Sequence, residues 1–470
     1  MNLQRKIIVV ALACAMPWMS AQAQTAADLQ KEIELLKAQL RSLQERIEAV
    51  ANKPAAGGVD PEEFNRIKIK VESAEDNTIA AGFAGLKING MIDPTFIYNK
   101  RQNQAGFVFL NNFNGAGNSG PGDSYSYDNS YFGQAMLDIQ KETEGGTKWR
   151  LTLAPHKSAS SAYNVGSIVH EASVSIPIAG PATRLIAGQM PDWSGYEYIW
   201  SHQQPLISHN LLFDFTIPSF YSGAGMEFSR GKWLSKFMVG NINEARKGAG
   251  AKSPGVAYRV DYAKGEFSGF GFAGSHSFGD KNAGGKYNLF EVDGYYTRGD
   301  WVLQGQLGLG NSKAGAANGS KANWTGLSAL AGYKVTPRFQ TTARFDMVMN
   351  KKNGGGVFGA AAQERCGFID VDGDGIFDTT SGGPDCEMIA DGRNGFGPIM
   401  ENSTGVWLPT GKGATRTALS LGMSYLFNQT TTFKAEYRMD RANGPVFLDV
   451  KTGDYKKSNS LIGLSAVVSF

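Results

Sequence analysis

No run of about 18 apolar residues occurs in the chain, so no helix can span a bilayer. Charge is sparse: Asp, Glu, Lys and Arg make up 19% of the residues, and the formal net charge is +3. No basic run stands out, which speaks against a nucleic-acid partner. Histidine is limited to five residues, none in an H-E-x-x-H spacing, and there is no G-x-S-x-G elbow, so no catalytic site is singled out and no enzyme activity is expected. What is abundant is glycine, 59 of 470 residues, with aromatics at 11% and hydrophobic residues at 42%. That composition is too apolar for disorder and too glycine-rich for helices. It fits a large all-β protein.

The chain opens on an address. Arg5 and Lys6 precede an apolar run, Ile7 to Ala15, and Ala21-Gln22-Ala23 offers a small-x-small cleavage site. This pattern reads as a secretory signal peptide over residues 1–23. The run is too short for a membrane anchor, and the residues before Cys14 fit a lipobox poorly. Cys14 leaves with the leader. Cys366 and Cys386 are then expected to meet in an oxidising compartment and pair.

Leu29, Ile33, Leu36, Leu40, Leu43, Ile47 and Val50 recur at alternating spacings of four and three, a heptad seam. A coiled-coil stalk over residues 24–53 is expected. The alternative is one amphipathic helix packed on its own domain. Lys53-Pro54-Ala55-Ala56-Gly57-Gly58 breaks the helix, and residues 54–82 read as a linker with a short helix behind Pro61.

Beyond residue 83 the period changes to two. Leu419, Leu421, Met423, Tyr425 and Phe427 alternate with small or polar residues, and Phe433, Ala435, Tyr437 and Met439 alternate with Lys434, Glu436, Arg438 and Asp440. Sixteen strands are expected near 85–99, 130–143, 147–156, 167–177, 183–190, 220–229, 232–242, 255–264, 267–278, 287–298, 301–311, 323–335, 338–349, 414–427, 430–441 and 457–470. The connections alternate short and long, and 350–413 forms one very long loop. Trp149, Trp233, Phe267, Trp301, Phe339 and Phe433 each follow a short turn, as an interfacial girdle would. The fold class is therefore all-β: a 16-stranded antiparallel transmembrane β-barrel over residues 83–470, with an N-terminal α-helical coiled-coil segment. An even count puts both barrel termini, and the stalk, on the periplasmic side.

These features resemble the Gram-negative outer-membrane porins, and the stalk resembles that of the DcaP-like trimeric porins. The resemblance implies a homotrimer in outer-membrane lipid that passes small hydrophilic solutes by diffusion. It implies that the terminal Phe470 is read by the barrel-assembly machinery. It also implies that the third loop, Pro191 to Ser219, folds into the lumen as a constriction. Asp192, Glu197 and Asp214 on that loop would face wall arginines, with Arg150, Arg259, Arg344 and Arg438 at inward positions by parity. Leu211, Phe213 and Phe215 alternate as an extra strand would, but one more strand breaks the even count, so they stay in the loop. An envelope tether or adhesin, or an outer-membrane hydrolase, is the alternative reading.

The long loop carries Asp370-Val-Asp372-Gly-Asp374-Gly375-Ile376-Phe-Asp378, bracketed by Cys366 and Cys386. Carboxylates at every second position, a turn-forming Gly375 and a carbonyl from Ile376 match the ligand spacing of a Ca²⁺ loop. Position 12 is Ser381, so Asp385, Glu387 or Asp391 would have to replace the usual bidentate glutamate. A structural Ca²⁺ is expected, against the reading of a merely solvated acidic loop. Gly269-Phe-Gly271-Phe-Ala-Gly274 matches a dinucleotide-loop string, but no helix follows it and its phenylalanines alternate, so it is read as strand.

Overall fold

A computed structural model of the chain describes residues 68–69, 85–101, 103–109, 133–155, 167–246, 252–265, 267–280, 285–313, 315–316, 318–357, 363–366, 386–389, 396–403, 406–449, 451–452 and 454–470. The chain divides into two units, Met1–Gly82 and Phe83–Phe470. In the first, Lys68 and Ile69 are described, as helix. The leader, the heptad seam at Leu29 to Val50 and the Asp370–Asp378 string lie outside the described residues. Among the described residues no helix is long and apolar enough to cross a membrane.

The second unit is a closed antiparallel barrel. Its strands are numbered here in chain order: β1 (Leu86–Ile92 and Thr95–Asn99), β2 (Gln104–Val108 and Ala135–Glu142), β3 (Lys148–Leu153), β4 (Val169–Pro177), β5 (Thr183–Pro191), β6 (Phe220–Arg230), β7 (Trp233–Ile242), β8 (Gly255–Gly265), β9 (Ser268–Asp280), β10 (Gly285–Arg298), β11 (Trp301–Ser312), β12 (Ala322–Thr336), β13 (Phe339–Met349), β14 (Thr415–Asn428), β15 (Thr431–Ala442) and β16 (Ser458–Ser469). Each strand pairs with its chain neighbours. β16 returns to β1 through Met91↔Ser469 and the Thr95–Asn99 ladder, which removes both sheet edges.

Strand ends agree with the expected ranges to within about three residues, except in β2. The sequence suggested one strand from 130 to 143. Instead the pairing begins directly after the connection at 100–103: Gln104–Val108 pairs with Thr95–Asn99, and Ala135–Lys141 pairs with Leu86–Ile92. Glycine, asparagine and serine are frequent between residues 109 and 134, which hides the Gln104–Val108 segment from a period-two search. Leu211, Phe213 and Phe215 stay in the loop, as expected from the even strand count; Leu211–Phe215 is a short helix, α1.

One end of the barrel carries tight turns. Gly231 (φ +59°) and Gly299 (φ +58°) open two-residue hairpins whose left-handed first position suits glycine. Aromatics gather at that level. Trp233 meets Tyr262 at 4.8 Å, Trp301 meets Tyr333 at 4.8 Å, and Phe427 meets Phe433 at 5.8 Å between ring centres. Up the outer wall, Leu303, Leu307, Leu309, Leu419, Leu421, Met423, Ile462 and Leu464 are exposed. The inside is the reverse: the largest fully buried side chains include Arg344, Arg416 and Arg438. This inversion of an ordinary globular core follows from strand parity, which sends alternate residues of β14 and β15 to opposite faces.

Candidate functional site

The site is the barrel interior and the loop that fills much of it. After Pro191 the chain leaves β5, crosses the lumen and re-enters the wall at Phe220. Four inward residues of β13 and β15 bolt it down. Lys434 donates to the carbonyls of Gln204 (2.6 Å), Leu206 (3.3 Å) and Ser201. Glu436 accepts from the amides of Ile207 and Ser208, each at 2.7 Å, and from Ser208 Oγ at 2.6 Å. Arg438 donates to His209 O at 2.8 Å. Arg344 donates to Ser208 O (2.7 Å), His209 O (2.6 Å) and Glu197 Oε1 (2.8 Å). A buried irregular segment needs its backbone groups satisfied, and these side chains supply that.

Local sequence shapes the loop. Asn210 caps α1: its Oδ1 accepts from Leu212 N (2.9 Å) and Phe213 N (2.8 Å). The Asn210 amide in turn donates to Glu197 Oε2 at 2.7 Å, so Glu197 links the helix start to Arg344. Burial outweighs Arg344 and pushes the Glu197 carboxyl up to about 7. His209 stacks on Phe213 at 4.4 Å, and its Nε2 lies 3.0 Å from Tyr198 O. Burial lowers its pKa to about 3, so the ring is neutral and Nε2–H donates.

Glycines make room on the wall. Gly308 and Gly326 are cross-strand partners on β11 and β12, and both face Leu212. A Cβ on Gly326 would stand 2.7 Å from Leu212 Cγ, and one on Gly422 would stand 2.3 Å from Leu206 Cδ2. Gly326→Val should therefore dislodge α1 at a cost of about 1–3 kcal/mol. Faster amide exchange across Leu211–Phe215 with an unchanged barrel is the expected readout; native-like protection there would refute the slot.

Toward the long-loop end, α1 is covered. Leu211, Leu212 and Phe215 pack with Tyr287, Trp324 and Val348 of the wall and with Val357 and Phe396 of the long connection. Phe215 meets Phe396 at 4.9 Å. The Arg416 guanidinium lies 5.2 Å from Phe215, 5.0 Å from Phe396 and 5.3 Å from Phe447. On the other side, between the loop and strands β3 to β11, a cavity of about 770 Å³ stays open.

The expected constriction residues divide. Glu197 meets Arg344 as an ion pair. Asp192 meets no arginine among the described residues; it accepts from Tyr221 and from Ser194 N (2.7 Å). Asp214 is buried on α1, 3.9 Å from His209 Nδ1. Arg150 pairs with Asp138 (2.7 Å) and Glu171 (3.4 Å) on the wall itself. Arg259 takes Asp293 (2.9 Å) and Asp261 (2.8 Å) and also donates to Trp193 O at 2.6 Å. Arg438 is fully buried against Asp440, at 3.0 Å. Arg344 and Arg438 thus both hold the loop through the His209 carbonyl. Lys434, Glu436 and the facing glycines complete the arrangement. Glycine at inward positions of consecutive strands was the available signal, since it marks close approach of another chain segment. In the long connection, Cys366 stands opposite Cys386 in a short antiparallel ladder.

Solved structures with a similar course include OmpT of Vibrio cholerae, described as outer-membrane expressed (13% identity, TM-score 0.45, 82% of this chain and 97% of that one). Others are Salmonella typhi OmpF in complex with daunomycin (12%, 0.46, 82% and 97%) and the outer membrane channel DcaP of Acinetobacter baumannii (8%, 0.45, 82% and 97%). No curated protein matches the chain. One family matches, over residues 61–259 and 257–470, the whole barrel and some residues before it. By that match the chain belongs to the family described as Protein of unknown function (DUF3138).

Proposed function

We propose that this protein is a porin-type channel of a Gram-negative outer membrane through which small hydrophilic solutes diffuse. The observation that carries the reading is the inversion of the barrel: an exposed apolar band outside, and buried arginines and carboxylates inside. An outward hydrocarbon-facing surface with a polar interior is how strands cross a bilayer. The open cavity beside the loop supplies a wet route with charged walls.

The same proposal includes a leader over residues 1–23, a coiled-coil stalk over 24–53 in the periplasm, a homotrimer, and recognition of Phe470 by the barrel-assembly machinery. It also includes a bond between Cys366 and Cys386 and a structural Ca²⁺ held by Asp370, Asp372, Asp374, Ile376 and Asp378. Sequence pattern supports the leader, the stalk, the bond and the Ca²⁺ site, and the porin resemblance supports the homotrimer and the role of Phe470. The backbone register that sets Cys366 opposite Cys386 supports the bond further.

The test is electrical. Purified, folded protein added to a planar bilayer should give discrete current steps, and vesicles containing it should swell in small sugars faster than in large ones. A folded barrel that inserts without steps or swelling would favour the tether or hydrolase readings instead.

A further inference from the structure

Charges on the cavity wall are mostly committed to one another. Arg150 is held by Asp138 and Glu171, and Arg259 by Asp261, Asp293 and the Trp193 carbonyl. Glu227 of β6 and Lys236 of β7 differ. They are direct cross-strand partners, the usual setting for an ion pair. Glu227 also stands opposite Arg184 of β5. Yet Arg184 turns away: its Nε donates to Ser175 Oγ (2.7 Å), and its terminal nitrogen donates to Gly146 O (2.7 Å) and Ser175 O (2.8 Å). Lys236 also turns away, and its ammonium rests over the Trp193 ring at 4.6 Å. Among the described residues neither Glu227 nor Lys236 is in a hydrogen bond or ion pair. Trp193 is braced edge-on by Tyr221 at 5.2 Å, which fixes it as one wall of the cavity.

The result is a carboxylate and an ammonium on adjacent strands, neither in an ion pair, with the ammonium against a fixed indole. An anion would satisfy Lys236 and be repelled by Glu227; a cation would meet the converse. A neutral solute would use neither. We propose, building on the channel reading, that this part of the cavity binds zwitterionic solutes with an apolar side group, α-amino acids above all. The solute carboxylate meets Lys236 Nζ, its ammonium meets Glu227, and its side chain lies against Trp193. Opposite charges a few bonds apart in the solute match charges on adjacent strands, whose facing Cβ atoms lie about 5 Å apart.

The experiment uses the full-length protein in a planar bilayer, with L-phenylalanine, 3-phenylpropionate and phenethylamine as probes. They share a ring and differ in charge. Phenylalanine should interrupt the current at about fivefold lower concentration than either single-charge analogue, the worth of one partly exposed ion pair. Lys236→Met should bring phenylalanine down to the level of phenethylamine, and Glu227→Gln to that of phenylpropionate. Step conductance should persist in both variants. Equal potency of the three probes on the wild type, or an unchanged order in both variants, would overturn the site. If no current steps occur, the channel reading has failed rather than the site. Calorimetric titration of the detergent-solubilised protein with the same probes then decides the site on its own, with the same order expected and equal affinities overturning it.

Discussion

On the proposed channel function, Arg344→Met should release the lumen loop and raise the step conductance well above that of the wild type. Arg344 is fully buried and holds Glu197 at 2.8 Å, Asp346 at 3.1 Å, and the carbonyls of Ser208 and His209. Methionine fills similar space but leaves two buried carboxylates and two carbonyls without their cation. Removing one partner of a buried pair costs about 3–5 kcal/mol. The docked state of the loop should therefore lose about a hundredfold or more in population. The barrel should survive, because its strand ladder does not depend on this residue. Arg344→Lys keeps the charge but loses the fork of donors, so it should fall between the two. Conductance steps and amide exchange across residues 197–215 report the change. Wild-type values of both in Arg344→Met would show that the bolts on β15 suffice alone.

Phe396→Ala should unseat the cover above α1. The Phe396 ring is fully buried, against Phe215 and the Arg416 guanidinium, and its carbonyl accepts from Asn350 Nδ2 at 2.9 Å. Truncating a buried phenylalanine costs about 3–5 kcal/mol, enough to free a single loop arm. Val348 of β13, fully buried in the same cluster, provides the reporter. With Val348→Cys introduced alone, an impermeant maleimide added at the long-loop face should react slowly. With Phe396→Ala added it should react at least about tenfold faster, as judged by the mass of the peptide containing position 348. Equal rates would mean that Phe396 decorates the mouth without closing it.

Much of the fold was legible because strand parity is a local property. Leu419 to Phe427 and Phe433 to Met439 announce two faces without any knowledge of their neighbours. The inward set so obtained already contained Lys434, Glu436, Arg438 and Arg344. What those residues do was not legible. Whether an inward arginine meets water, a wall carboxylate or a loop carbonyl depends on where a segment more than a hundred residues away comes to lie. Arg344 and Glu197 are 147 positions apart, and Glu436 and Ser208 are 228 apart. The Leu211–Phe215 helix was hidden for another reason. Five residues are too few to show a helical period, and the signal that did exist was the capping asparagine at 210. The unmade pair of Glu227 and Lys236 lay beyond sequence reasoning altogether. Two opposite charges on adjacent strands suggest an ion pair, and only the positions of Arg184 and Trp193 show otherwise.

The ring closes on a long delay. Thr95 Oγ1 donates to Ser465 Oγ 370 positions away, so the β1–β16 seam waits for nearly the whole barrel sequence. Contacts of such separation are slow to form, and until then the sheet has two open edges. The lumen loop belongs to an earlier part of the chain than β13 to β15, and it grips β8 through Arg259 and β15 through Lys434 and Glu436. It can therefore serve as a mandrel. A flat, growing sheet that docks its later strands onto the loop is curled before its edges meet, and the final seam has only a short gap to cross.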